Sequence, residues 1–142
     1  MPKSEIRTLE QMEIDEKTLF EVLGGQPTIE KIVDRFYYFM DTLPEAKDIR
    51  DQHSKDLTDA KEKLVMFLTG WSGGPQLYIE KHGHPRLRMR HMPFKIGEKE
   101  RDQWLHCMFK ALDDCQIPDP TKSELKKSFA HIADFMRNQQ PT

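Results

Sequence analysis

Residues 85–94 of the chain, Pro-Arg-Leu-Arg-Met-Arg-His-Met-Pro-Phe, carry the signal from which the fold can be inferred. They place a single imidazole, His91, at the end of a short predicted helix. Apolar side chains and cations surround it: Leu87, Met89, Met92, Phe94, Arg86, Arg88 and Arg90. An accessible imidazole, an apolar slot and cations that pair with carboxylates are what an iron porphyrin requires. Taken alone, a histidine beside arginines is more often a surface residue, so other interpretations stay open.

Outward from this stretch, apolar residues recur at spacings of three, four and seven, which is typical of amphipathic helices. The spacing predicts helices over 18–23, 27–43, 57–71, 98–115 and 120–137. Between 75 and 97 only one short helix fits, over 85–90, and 44–56 reads as a helical turn with a connection. No alternating strand pattern is found. The chain is therefore predicted to be all-α, with four long helices and a functional segment between the second and third.

The composition indicates one globular domain. The chain has 142 residues, of which 32% are charged and 37% hydrophobic, and its formal net charge is −2. We expect an N-terminal extension over 1–17 and a domain over 18–142. The charge gives no support to nucleic-acid or membrane-surface binding. No apolar run of about 18 residues predicts a membrane span, and the first residues show no secretion signal.

The two cysteines bear on the cellular compartment. Cys107 and Cys115 lie eight residues apart in one predicted helix. That spacing separates them by roughly 12 Å, which is too far for a disulfide. Free thiols favour a reducing cytoplasm, and the absence of a C-x-x-C-H motif argues against covalently attached haem.

Two other kinds of site can be weighed from the histidines and methionines. None of the six histidines follows a glutamate by three residues, so a di-iron bundle is improbable. His82 and His84 lack a third ligand, and a four-ligand zinc cluster is missing. A non-haem metal enzyme is thus disfavoured. A haem-free helical interaction module with eight methionines remains open, and the purified protein's Soret band distinguishes it.

A longer ordered set of motifs resembles the group II truncated haemoglobins over residues 18–137. The matching residues are Leu19-Phe20, Gly24-Gly25, Arg35-Phe36-Tyr37, Gly73-Gly74-Pro75, Tyr78, 82–94 and 100–108. The resemblance implies a two-over-two helical sandwich that encloses haem b. It makes His91 the proximal iron ligand.

The resemblance also implies which side chains face the bound gas. Tyr37 and Trp104 fall on the family's polar distal positions, where a phenol O–H and an indole N–H can donate hydrogen bonds. Helix 57–71 carries no histidine, and Ala60 stands where many other globins place one. His53 departs from the aromatic residue common in relatives. His53, or Tyr37 as phenolate, is a candidate ligand of ferric iron.

The remaining predicted haem contacts divide into a polar and an apolar group. Propionate-side residues are Arg90, Tyr78 and Lys63, and wall residues are Leu64, Phe67, Leu68, Met89, Phe94, Ile96 and Met108. The implied function is reversible binding of O₂, CO and NO at ferrous iron by a monomer or weak dimer. Oxygen transport, or peroxide or nitric oxide detoxification, are possible uses. Detoxification requires a separate reductase, because the chain has no nucleotide-binding glycine motif.

Overall fold

Eight α-helices and one 3₁₀ turn make up residues 17–139, the part of the chain that the computed structural model describes. The helices are α1 (Leu19–Leu23), α2 (Gln26–Thr42), α3 (Lys47–Asp51), α4 (Thr58–Trp71), α5 (Leu77–His82), α6 (Leu87–His91), α7 (Glu98–Asp113) and α8 (Asp119–Phe135), and the turn is Pro44–Ala46. The predicted all-α class is confirmed. The predicted extension over 1–17 lies outside the described residues, apart from Lys17. Within residues 17–139, no helix is long and apolar enough to cross a membrane.

The first two helices show why the sequence signals located the boundaries well. The Thr18 hydroxyl accepts a hydrogen bond of 3.2 Å from the Glu21 amide and caps α1. Gly24 ends that helix in the left-handed region, at φ 103°. Pro27 then occupies the first turn of α2, where its missing N–H costs nothing.

Two helix pairs form the core. Helix α2 packs on α4 and α7, and α7 packs on α8. The contact between α2 and α7 buries the largest fully enclosed side chains, among them Phe36, Met40, Met108 and Leu112. Each such side chain stabilises the fold by about 1.5–3 kcal/mol relative to exposure. This frame places the middle of α4, the start of α7 and the end of α8 around a common space.

The segment over 75–97 is more regular than predicted. It contains two helices, α5 and α6, and the prediction of a single short helix there was wrong. Helix α5 has six residues, and its apolar residues Leu77, Tyr78 and Ile79 are consecutive. So short a helix leaves no periodic signal in the sequence. Gly83, at φ 79°, ends it.

The end of α7 corrects the prediction that both cysteines share one helix. The helix ends at Asp113, so Cys115 lies beyond it. Both thiols are free, as expected, and both are buried. Burial raises the pKa of the Cys107 thiol to about 11, so it is protonated and unreactive at neutral pH.

Candidate functional site

A cavity of about 250 Å³ opens between the helices of the core and the 85–96 segment. Most of its wall is apolar: Ile49, Leu64, Phe67, Leu68, Leu87, Phe94, Ile96, Phe129, Ile132, Ala133 and Met136. The remaining lining residues are Tyr37, Gln52, His53, His91, Glu100, Arg101 and Trp104. Nine predicted site residues therefore meet at one cavity, although they come from distant parts of the chain.

His91 is the last residue of α6, and its ring orientation is fixed by that helix. Its Nδ1 lies 2.6 Å from the carbonyl oxygen of Leu87, four residues earlier. A carbonyl only accepts, so Nδ1 carries a proton, which in the neutral form of the ring leaves the Nε2 lone pair free. Leu87 and His91 share one face of α6, and both line the cavity. A neutral imidazole oriented by a backbone carbonyl is the form in which histidine binds a metal.

Asn138 fastens the segment that follows His91 to the end of α8. Its side-chain amide donates to the carbonyls of Phe94, at 2.8 Å, and His91, at 3.3 Å. Its Oδ1 accepts from the Ile96 amide at 3.0 Å. The backbone adds a bond of 2.8 Å from the Asn138 amide to the Ile96 carbonyl. Sequence analysis missed Asn138, because a polar residue after a helix end carries no pattern.

Tyr37 and Trp104 bring two donors to the cavity that have no partner within residues 17–139. Tyr37 lies on α2 and is only 5% exposed, and its hydroxyl makes no hydrogen bond to a described residue. Burial raises the pKa of this phenol, so it stays protonated and can donate. The indole N–H of Trp104, on α7, likewise bonds to none of these residues. Phe36 holds both rings, at centroid distances of 4.9 Å and 5.2 Å.

His53 follows α3 and lies beside Tyr37, with ring centroids 5.8 Å apart. Its Nδ1 is 2.7 Å from the Ile49 carbonyl, so Nδ1 donates and Nε2 keeps its lone pair. Burial, and the nearby charge of Arg50, lower the pKa of His53, which is therefore neutral at pH 7. The three groups of the predicted distal set thus lie at the same cavity as His91.

Two predicted apolar contacts lie away from the cavity wall. Met89 is on the face of α6 opposite Leu87 and His91, and its side chain is 58% exposed. Met108 is fully buried between the core helices and does not reach the cavity. The sequence pattern around Met108 could not show whether it belongs to the core or to the cavity wall, because both are lined by apolar side chains.

The three residues predicted to contact the propionates do not line the cavity either. Lys63 is on α4, next to the lining residue Leu64, and pairs with Asp59 at 3.1 Å. Tyr78 packs behind Phe67 with ring centroids 6.4 Å apart. The guanidinium of Arg90 lies 5.7 Å from the centre of the Tyr78 ring.

Several lining residues were missed by sequence analysis. Gln52, Glu100 and Arg101 are polar residues at helix ends, where no periodic signal marks an inward direction. Glu100 accepts from the Gly97 amide at 2.8 Å and so caps α7. Arg101 is held by Asp134 at 2.7 Å. Neither is a free functional group. Ile132 and Met136, on and just after α8, also line the cavity and were not among the predicted site residues.

The donor set fits an iron porphyrin. Among residues 17–139 no three histidine, cysteine, aspartate or glutamate side chains converge on a metal ion. The cavity offers instead two oriented imidazoles, His91 and His53, an apolar wall and the unpartnered donors of Tyr37 and Trp104, which suit a single haem iron. Helices packed two on two around such a cavity define a globin.

The comparisons with known proteins agree with this class. The bacterial-like globin family model matches residues 18–138. A group 2 truncated haemoglobin of Bacillus subtilis is 44% identical over 115 residues, which are 81% of this chain and 85% of that protein. Two solved structures have TM-scores of 0.85. One, a truncated haemoglobin of Pseudoalteromonas haloplanktis, is 44% identical and covers 87% of this chain and 100% of its own. The other, a group II 2-on-2 haemoglobin of Agrobacterium tumefaciens, is 42% identical and covers 87% and 96%.

The chain belongs to the bacterial-like globin family, as a group II truncated haemoglobin. The predicted family and the predicted two-over-two fold are confirmed. Membership of this family implies a haem cofactor and the binding of small diatomic ligands through it.

Proposed function

We propose that this protein binds O₂, and also CO and NO, reversibly at the ferrous iron of haem b, with His91 as the protein's iron ligand. The observation that carries the proposal is that one cavity is lined both by a metal-binding lone pair and by hydrogen-bond donors. His91 presents a free Nε2 lone pair there, and Tyr37 and Trp104 present hydrogen-bond donors without partners among the described residues. The first suits a metal, and the donors suit a partly anionic ligand.

The residues that would hold haem b are those of the cavity and its edge. Nε2 of His91 would bind the iron, and the apolar wall would take the porphyrin ring. Arg90, Lys63 and Tyr78 remain our candidates for the propionate side. Non-covalent haem b is favoured because the chain has no C-x-x-C-H motif. When bound there, the haem would supply the ferrous centre at which a diatomic molecule binds.

The chain's own contribution to affinity is the pair of donors. Tyr37 and Trp104 are held by Phe36 in a largely apolar cavity, where a hydrogen bond to a partly negative ligand is strong. Each such bond contributes about 1–3 kcal/mol, which slows escape of the ligand. Because CO carries less negative charge than O₂, its escape depends less on these donors.

His53 is our stronger candidate for a ligand of ferric iron. Its Nε2 is free and its pKa is lowered, so the imidazole is ready to bind a metal at neutral pH. Tyr37 would first have to lose its proton, and burial raises the pKa of that group. A ferric spectrum that shows only water-bound iron between pH 6 and 9 contradicts this part of the proposal.

Stopped-flow measurements of O₂ and CO release from the ferrous protein test the function. For Tyr37→Phe and Trp104→Phe we expect O₂ release to accelerate about 5- to 150-fold, and CO release to change much less. His53→Ala is measured alongside. Tyr38→Phe is the matched control, since Tyr38 is exposed and lies outside the cavity. If none of the three cavity variants accelerates O₂ release, the assignment of the donors is wrong.

A further inference from the structure

One surface of the molecule carries a charge opposite to that of the whole chain. From Lys81 to Gly97 there are five lysines and arginines and no aspartate or glutamate, whereas the chain has a formal net charge of −2. Four of these cations lie on or beside α6. We call them, with the methionines between them, the arginine patch: Arg86, Arg88, Arg90, Lys95, Met89 and Met92.

The cations of the arginine patch have no carboxylate partner within residues 17–139. Most other lysines and arginines of that range do, for example Arg35 with Asp114 at 2.7 Å and Lys81 with Glu62 at 2.8 Å. Arg88 and Arg90 bond instead to backbone carbonyls, each at 3.3 Å. Carbonyl contacts leave the positive charge uncompensated, so this surface attracts anions or acidic partners. A haem propionate would neutralise Arg90 alone, and Arg86, Arg88 and Lys95 would keep their charge.

Exposed apolar side chains lie among these cations. Met89 is 58% exposed and Met92 51% exposed, although both are large and hydrophobic. An apolar centre with a charged rim is the usual composition of a protein-binding surface, and methionine adapts its shape to a partner.

The backbone at Arg86 adds an independent observation. Its φ is 45°, and it is the only non-glycine residue within 17–139 at positive φ. A glycine would adopt this conformation without the steric cost that arginine bears. A charged side chain is therefore present where a glycine would be more stable, which is expected of a side chain with a function.

The position of the patch relates it to the haem site. Leu87 and His91 line the cavity from one face of α6, while Met89 lies on the opposite face. A partner seated on the patch would be separated from the cavity by little more than this one helix. Because electron transfer slows exponentially with distance, this is a favourable place from which to deliver an electron.

We propose that the arginine patch docks an acidic one-electron carrier protein that reduces the oxidised form of this haemoglobin. The proposal rests on the proposed function, since only ferrous iron binds O₂. One electron leaves the reduced centre of the carrier and converts ferric iron to ferrous. No covalent bond forms or breaks between the two proteins. Helix α6 has five residues, of which Met89 is the exposed large apolar one, and one such side chain is too little for a helix that lies in a membrane surface.

The test uses the full-length ferric holoprotein and a reduced acidic 2Fe–2S ferredoxin as the probe, under CO to trap the ferrous product. We expect a second-order rate constant that falls steeply as ionic strength rises from about 0.02 to 0.3 M. Arg86→Glu combined with Arg88→Glu should lower it at least about tenfold at low salt. The control, Lys31→Glu with Lys55→Glu, makes the same charge change elsewhere and should stay within about twofold.

Arg86→Gly separates docking from stability. This variant removes one cation of the patch and relieves the positive-φ strain at the same position. We expect its Tm to be unchanged or higher by about 2–4 °C, while its reduction by ferredoxin slows. If Arg86 had only a structural role, its replacement would change the stability and leave the rate of reduction by ferredoxin unchanged.

Two further measurements decide between this proposal and its rivals. Calorimetry with oxidised ferredoxin, in which no electron moves, should show salt-dependent binding that the patch variants lose. Dithionite should reduce every variant equally and give the same CO spectrum, so loss of the haem function is distinguishable from loss of docking. Patch and control variants that react equally with ferredoxin overturn the proposal. Binding to phosphatidylglycerol vesicles without binding to ferredoxin also overturns it.

Discussion

The α2–α7 contact and the segment over 75–97 differ in how deeply their side chains are buried and in how strained their backbone is. The first is a pair of long helices whose facing side chains, such as Phe36 and Leu112, are wholly buried. The second consists of two short helices with exposed methionines and a backbone strained at Arg86, yet it carries His91. The difference indicates that one region supplies stability and the other supplies chemistry, as is common where ligand-binding segments have low local stability.

The largest expected effect is the difference in unfolding free energy when one large apolar side chain in each region is shortened to alanine. Leu112→Ala should lower the free energy of unfolding by about 2–5 kcal/mol, because it leaves a cavity in a closed core. Met92→Ala, in the exposed segment, should change it by less than about 0.5 kcal/mol. Urea denaturation of both variants measures the contrast. Equal losses would mean that the two regions share the stability of the fold.

A smaller effect is expected from the tie between the two regions. Asn138→Ala removes three side-chain hydrogen bonds to the backbone of residues 91–96. We expect unfolding to become easier by about 1–3 kcal/mol, and haem transfer to an acceptor globin to become about tenfold faster. Gln116→Ala, at an exposed amide away from this segment, is the control. Unchanged haem loss in Asn138→Ala would show that His91 is positioned without this tie.

The difference between long periodic helices and short irregular segments explains which parts of the fold and site could be predicted from the sequence. The long helices have periodic apolar faces with clear caps, so α2 and α7 were predicted with ends within two residues of those observed. Helix α5 was missed because six residues are too few for a period. Asn138 and Arg101 act through hydrogen bonds across the fold, and such partners are not encoded in local spacing. The arginines and apolar residues around His91 made it one candidate, and the resemblance of the longer set of motifs made it the predicted iron ligand.

The smallest effect concerns pH, at the cavity residue His53, whose ring lies beside Tyr37 of α2. The pKa of His53 is lowered in the folded protein, chiefly by burial, so the unfolded chain binds more protons there. Above its unfolded pKa of about 6.5, His53 is neutral in both states and does not change the stability. As the pH falls below that value, the unfolded chain takes up the proton first, and the folded protein loses stability. In the ferrous CO form, wild type should lose stability more steeply than His53→Phe over this range. Parallel urea profiles would contradict the burial of a neutral imidazole.

The most direct test of the whole account is replacement of His91. His91→Gly should be purified with little haem, and added imidazole should restore haem binding and the Soret band by occupying the vacated space. His84→Gly, an exposed histidine of the same segment, should keep the wild-type spectrum. If His91→Gly retains a full complement of haem with an unchanged spectrum and without imidazole, another residue binds the iron and the assignment of this site is wrong.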